Sequence, residues 1–482
     1  MSEFRRRLMM QSKADNPILK DYLTIVSLED GLTAKLSTNA CEYCVDGDGV
    51  WKTLPADTET EAVNSGQTLS FRGNLIPTSS NGVGTFTINK LHNLRGDCMS
   101  LLFGDETKDC FSLADNNHAF RNLFNGNDRL VDASELSLKA LDLGTHSYYG
   151  MFAGCTNLVE AMDLPDNRLA NNCYQSMFQG CTNLTKAPQG IAVDKFPIYS
   201  CTDMFNGCTS LTKAPILSLT TTASGKLLIN FCFQRMFKGC TKLLEVQETL
   251  PKSSLSNECC REMFYGCTSL TKAPELPSTA IAMNCYQSMF YGCTSLTKAP
   301  ALPATNLNGK NYCYASMFQN CTALTDAPEL PAETLCGNCY QHMFNGCTSL
   351  IEAPDLPAKT LAQSCYSNMF AGCTSLTKAP IISATTLANN CCQQMFARCT
   401  SLETAPELNA LTLTNYCYEF MFHKCSKLNY IKMMAIDIDA LSCVSNWVVG
   451  VADMGTFVKN KDAVWSYVGE SSVPSEWTII TE

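Results

Sequence analysis

Cysteine is the residue type that carries most chemical potential in this chain, with 29 among 482 residues. A thiol can form a disulfide, hold a soft metal or attack as a thiolate, and its spacing decides which. Cys41 and Cys44 enclose two residues and form half of a zinc site, but the next cysteines, Cys98 and Cys110, are distant and no ligand-spaced histidine pair accompanies them. The pair reads instead as a strand running into the turn Asp46-Gly47-Asp48-Gly49. That turn resembles the start of a calcium loop only superficially, because Val50 occupies the fifth position, where an oxygen ligand is required. A hairpin is expected there. The histidines, His92, His118, His146, His342 and His423, are scattered, and no nucleophile elbow or phosphate-cradling glycine loop is present. Arg95-Gly96-Asp97 matches an integrin-binding tripeptide, which a turn explains equally well. No catalytic residue, metal ligand or cofactor site is assigned, and a non-enzymatic protein is expected.

The remaining cysteines follow a repeat. A Met-Phe pair recurs eleven times, with its phenylalanine at 152, 178, 205, 237, 264, 290, 318, 344, 370, 396 and 422. Most intervals are 26 residues, the others are 27, 27, 28 and 32, and a degenerate rung at Phe124 precedes the series. One supersecondary unit repeated side by side is a solenoid. Eleven cysteines, such as Cys293, lie three residues after the Phe; nine, such as Cys285, lie five before it, and Cys201 takes that place with a one-residue slip.

Within a unit Cys285, Tyr286, Met289, Phe290 and Cys293 fall at i, i+1, i+4, i+5 and i+8, the spacing of one helix face. The proline-marked stretch through Lys298, Pro300 and Leu302 reads as a short extended segment. The expected architecture is therefore an α/β, right-handed stack of about twelve helix-plus-strand rungs. With strands about 4.8 Å apart and helices 8–10 Å apart, the helical side should fan outward and the stack should run to roughly 55 Å. Cysteines eight residues apart on a helix are separated by about 12 Å, beyond the roughly 7 Å a disulfide allows. The cysteines are thus expected to be small, buried, reduced side chains in two ladders. The tyrosines 174, 286, 314, 340, 366 and 418 should pack between rungs.

The flanks do not share the repeat. Residues 19–110 hold β-like runs separated by Gly, Asn and Ser, a small all-β domain. Residues 111–428 are the solenoid, and 429–482, with Trp447, Trp465 and Trp477, should cap its open end. Residues 1–18 contain Arg5, Arg6 and Arg7 without an apolar segment after them and do not read as a secretory signal; an attachment segment is expected. The insert from Thr220 to Asn230 should bulge from a loop edge. A net charge of −10 and a pI near 5.1 argue against nucleic acid as a partner. No apolar run reaches eighteen residues, so no membrane insertion is expected.

The words MFYGCTSLTKAPELP and CYQSMF resemble the BspA-like leucine-rich repeats across about residues 120–430, a resemblance that implies a curved solenoid and surface adhesion. The stretch SFRGNLIPTSSNGVGTF, the tail with SNWVVGV and GTFVKN, and the start MSEFRRRLMM are similar to repeat proteins encoded by gut Bacteroides and their phages, including virion fibre and tail proteins. That likeness implies a virion-surface protein adhering to a host cell-surface glycan or protein, with the N-terminal region docking other virion proteins; a BspA-like adhesin on a bacterial cell surface is the alternative. A homo-oligomer is compatible with either. The residue eight after each Phe varies in charge along the strands: Glu160, Lys186, Lys213, Glu245, Lys272, Lys298, Asp326, Glu352 and Lys378. This row is the expected binding strip on the strand side.

Overall fold

The computed structural model describes residues 22–109, 111–220, 227–465 and 468–482. The attachment segment expected over residues 1–18 lies outside them, as does most of the insert after Thr220. The chain forms two compact units, one of residues 1–223 with 235–247 and one of residues 224–234 with 248–482.

The first unit opens with seven strands, β1 (Leu23–Ser27), β2 (Ala34–Leu36), β3 (Cys41–Val45), β4 (Lys52–Leu54), β5 (Thr68–Arg72), β6 (Phe86–Ile88) and β7 (His92–Asp97), then one turn of helix, α1 (Ser100–Phe103), and β8 (Leu130–Ser137). Six strands form a sheet in the order β4-β3-β5-β1-β7-β8. All its neighbours run antiparallel except β7 and β8, which pair in parallel. β1 sits centrally and every one of its residues is buried. Cys41 and Cys44 lie on β3, whose hairpin to β4 turns through Asp46, as their sequence suggested. Arg95-Gly96-Asp97 ends strand β7 and forms no turn, and the fully buried Asp97 accepts from the Met99 backbone N–H, so the tripeptide is not displayed.

The same unit then stacks coils, including the strand pair β9 (Gly190–Val193) and β10 (Ile216–Leu219), which is parallel. Phe86, Phe124, Phe152, Phe178, Phe205 and Phe237 lie in line with centroids 5.4–5.7 Å apart. The aromatic column thus begins on β6, which pairs with β2 in a separate two-stranded antiparallel sheet; there Phe86 meets Phe71 of the larger sheet edge-on at 4.9 Å and supplies the first coil with a partner.

In the second unit an equivalent column runs from Phe264 to Phe422 and ends on Trp447, 5.9 Å from Phe422. Trp447 takes the place of the next Phe in a further, degenerate coil. β11 (Tyr430–Met433), β12 (Thr456–Lys459) and β13 (Thr478–Thr481) make a parallel sheet at this end. The three tryptophans there donate their indole N–H groups to the backbone carbonyls of Ser472, Ala435 and Ala452, satisfying the polar edge of rings that are otherwise buried.

The rungs are not helix-plus-strand. Over residues 284–293 the N–H groups of Gln287, Met289, Tyr291 and Cys293 each donate to the carbonyl three residues back, at 3.1–3.2 Å. The residues between, Asn284, Tyr286, Ser288, Phe290 and Gly292, donate to the next coil at 2.8–3.1 Å. Every fourth residue is left-handed, with φ of 53° at Asn284, 53° at Ser288 and 69° at Gly292. A right-handed helix cannot hold such residues. The coil is a chain of overlapping turns with a period of four, and two residues in four point inward. The expected helices fail because spacing i, i+1, i+4, i+5, i+8 satisfies a period of four as well as 3.6. Without helices, the wider helix spacing that would fan one side outward does not arise.

Candidate functional site

The eighth residue after each Phe is where successive coils meet most regularly. Single parallel bridges join Asp132 to Glu160, Glu160 to Lys186 and Lys213 to Glu245 in the first unit. In the second they join Lys272 to Lys298, Lys298 to Asp326 and Glu352 to Lys378. The following alanine makes this possible: Ala299 N–H donates to the Asp326 carbonyl at 3.1 Å, and the Asp326 N–H donates to the Thr297 carbonyl at 3.4 Å. Ala299 points inward and Lys298 outward, the alternation of an extended backbone. All nine expected strip residues therefore fall on such rows, though each contact is a single bridge and not a continuous strand.

Their charges answer one another. Lys186 reaches Glu160 at 2.6 Å, Lys213 reaches Glu245 at 3.4 Å, Lys298 reaches Asp326 at 3.1 Å and Lys378 reaches Glu352 at 3.4 Å. Lys272 meets Glu248 at 3.9 Å. Except for Glu160, these side chains are more than half exposed, so each pair is worth no more than about 1 kcal/mol and does not hold the coils together. The strip is a self-neutralising, hydrated row that a partner can re-pair at little cost.

Beside the row lie residues that sequence reading passed over. Three positions further on, Asp163, Glu248, Glu275, Glu329, Asp355 and Glu407 form a second, largely acidic column, broken by Gln189, Ile216, Ala301 and Ile381. In the second unit the two columns border a groove of about 640 Å³ floored by Ala327, Leu330, Ala353 and Pro354. A neighbouring groove of about 490 Å³ runs between Lys378 and Glu407. Ile351 is 50% exposed on the first groove and Ile381 67% exposed on the second. Aligning the rungs by their Phe would have shown both features, since these positions vary where the inward ones do not.

The cysteines have a structural job. Outside Cys110, which is not among the described residues, every cysteine is a buried thiol outside any disulfide. In ten coils the thiol three residues after the Phe donates to the carbonyl of the Phe one coil earlier, for example Cys321 to Phe290 at 3.0 Å and Cys347 to Phe318 at 3.1 Å. That carbonyl already accepts from its own turn, so the thiol fills its second lone pair. Burial pushes Cys181, Cys240, Cys321, Cys373 and Cys425 up to about 12, the opposite of a nucleophile. Cys336 and Cys391 depart from this rule. Hydrogen bonds from the Cys313 and Cys339 thiols hold Cys336 below the ordinary range, one from the Cys392 thiol does the same for Cys391, and the donating partners are raised. The tyrosine row packs between coils as expected, with Tyr286, Tyr314, Tyr340 and Tyr366 stacked at 5.7–6.1 Å.

Of the histidines only His118 and His146 come together, stacked at 4.6 Å, and burial lowers both pKa values first, with Arg121 adding to it. Among the described residues no group of three or more His, Cys, Asp or Glu is placed to hold a metal ion, and no helix is long and apolar enough to cross a membrane.

Coils of 26–32 residues, stacked aromatic rings and rows of matched surface positions define a leucine-rich-repeat solenoid. The chain belongs to the BspA type leucine-rich repeat region family, which matches residues 147–233, 233–351 and 312–440 in 6 copies. Among curated proteins no relative matches the sequence.

Proposed function

We propose that this is a non-enzymatic adhesion protein of a phage virion, a fibre, tail or decoration protein that holds the particle to the bacterial host surface. Membership of a BspA type repeat family supports the broader part of this reading, a surface-binding scaffold. The observation that carries it is the aligned charge row with its two grooves, where exposed Ile351 and Ile381 stand among carboxylates and lysines. Exposed apolar side chains inside a polar rim mark a contact surface. The likeness of the flanks to proteins of Bacteroides phages supports the virion as its place, with residues 1–18 and the sheet toward the particle. A host glycan or surface protein is the partner.

The test uses the full chain. Binding to candidate host cells is compared with that of Glu329→Lys/Asp355→Lys, which reverses two exposed groove charges outside the core and gives up the hydrogen bond that Asp355 accepts from the Ile381 backbone N–H at 3.0 Å. Loss of adhesion with stability lowered by no more than about 1 kcal/mol is expected; unchanged adhesion removes the groove from the reading. Antibody labelling of purified particles against outer-membrane fractions separates the virion from the cell-surface adhesin.

A further inference from the structure

The second unit carries a depression on its turn face, away from the charge row. In the column immediately after the Phe, Tyr265 and Tyr291 stack at 4.5 Å and Gln319 follows. The next coils place Asn345, Ala371 and Ala397 there. Where those large side chains stop, a trough of about 500 Å³ opens over Ala371 and Ala397, bordered by Asn345, Asn368, Gln394, Arg398, Phe420 and His423. Its size is that of a small-ligand site.

Three of its residues depart from what the fold alone would select. Phe420 has φ 53°, in a column where the earlier coils of this unit hold the polar residues Glu262, Ser288, Ser316, His342, Asn368 and Gln394. A bulky side chain there costs on the order of 1–3 kcal/mol, and the ring remains half-exposed. His423 lies edge-on to Phe420 at 5.5 Å, and its buried Nδ1 has no hydrogen-bond partner. Arg398 stands in a column that is otherwise mostly glycine, is exposed, and pairs with no carboxylate of the described residues. Burial first, then Lys424 and Arg398, hold His423 below the usual imidazole range against the opposing Glu470, which favours a neutral ring beside Phe420.

We propose that this trough binds an oligosaccharide carrying a uronic acid. The side-chain amides of Asn368 and Gln394 each offer a donor and an acceptor, the pair that sugar hydroxyls require. The Phe420 ring supplies the apolar face on which a pyranose ring lies, and the Arg398 guanidinium forks onto its carboxylate. The trough deepens the adhesion reading by adding a saccharide site, yet it stands on residues separate from the charge row.

Calorimetry of the full chain with trigalacturonate, beside the neutral galactose trimer, tests it. Saturable binding of trigalacturonate is expected, with the neutral trimer weaker. Arg398→Gly restores the residue most coils use and should weaken the uronate by about tenfold, the loss of one charge-assisted fork, abolishing its preference over the neutral trimer. Ala397→Tyr introduces the residue of two other coils and should abolish binding of both. Melting curves of both variants should match the parent chain. Absence of saturable trigalacturonate binding, or full affinity in Ala397→Tyr, overturns the proposal. Cell adhesion that survives Ala397→Tyr but not Glu329→Lys/Asp355→Lys leaves the groove reading standing without the trough.

Discussion

The sheet formed by β1, β3, β4, β5, β7 and β8 and the coils of residues 248–450 solve the same problem in opposite ways. In the sheet a strand sends its backbone groups to both neighbours, and its order β4-β3-β5-β1-β7-β8 joins residues far apart in sequence. In the coils alternate N–H groups serve the coil's own turns, and the rest serve the next coil 26–28 residues on. Cysteine shows the difference. Cys44, at the hairpin, donates to the Asp48 carboxylate at 3.2 Å, whereas Cys321 donates to a buried carbonyl. In the sheet a thiol is incidental; in the coils it completes the backbone hydrogen bonding.

The largest test of that contrast is alkaline unfolding. A buried thiol raised from 9.0 to about 12 keeps its proton in the folded chain while the unfolded chain loses it near 9.0. The stability this contributes is fully present below about pH 9 and is lost as pH rises toward 12. Circular dichroism with hydrogen exchange should show the coils melting in that window before the sheet. Alkylation of the denatured, never-reduced chain should label all 29 cysteines, and in the native chain at pH 8 Cys336 should react first; disulfides in twenty or more would break the ladder picture.

Phe290→Ala should cost about 3–5 kcal/mol by leaving a cavity in the aromatic column. Because coils contact only their neighbours, the loss of exchange protection should be confined to the coils around it. Equal loss in the sheet would show that the two regions unfold as one.

Glycine replacement sharpens the comparison next. A Cβ on Gly96, in β7, would run into the Tyr22 carbonyl oxygen, and Gly96→Ala should cost about 3 kcal/mol. On Gly292 the nearest atom is the Gly266 Cα at 3.9 Å, so Gly292→Ala meets only the backbone penalty of φ 69°, about 1 kcal/mol. Denaturant unfolding would rank them, and the reverse order would place the tighter backbone in the coils. The smallest effect belongs to Lys298→Ala, under about 0.5 kcal/mol, since its partner Asp326 is itself exposed; a larger loss would make the charge row structural.

The repeat, the inward residues and the surface row were legible because they recur at a fixed distance from each Phe. The rung's backbone was misread, although the sequence held the deciding sign. Eight of the eleven rungs place glycine two residues after the Phe, as at Gly154 and Gly372, in the middle of what would have been a helix. A glycine there costs a helix about 1 kcal/mol, and eight in register mark a left-handed column. The limits of the column were illegible for another reason. Phe86 and Trp447 continue it from segments without the repeat's words, and only the spatial stacking identifies them.

The bonds from each Phe N–H to the next coil, such as Phe318 to Met343 at 2.9 Å, carry a mechanical meaning. Tension along the stack loads one coil junction at a time, and each opened coil of 26 residues releases up to about 90 Å of slack. A load held through this chain would hang on a tether that lengthens in steps before it lets go, and force spectroscopy should record a sawtooth with that period.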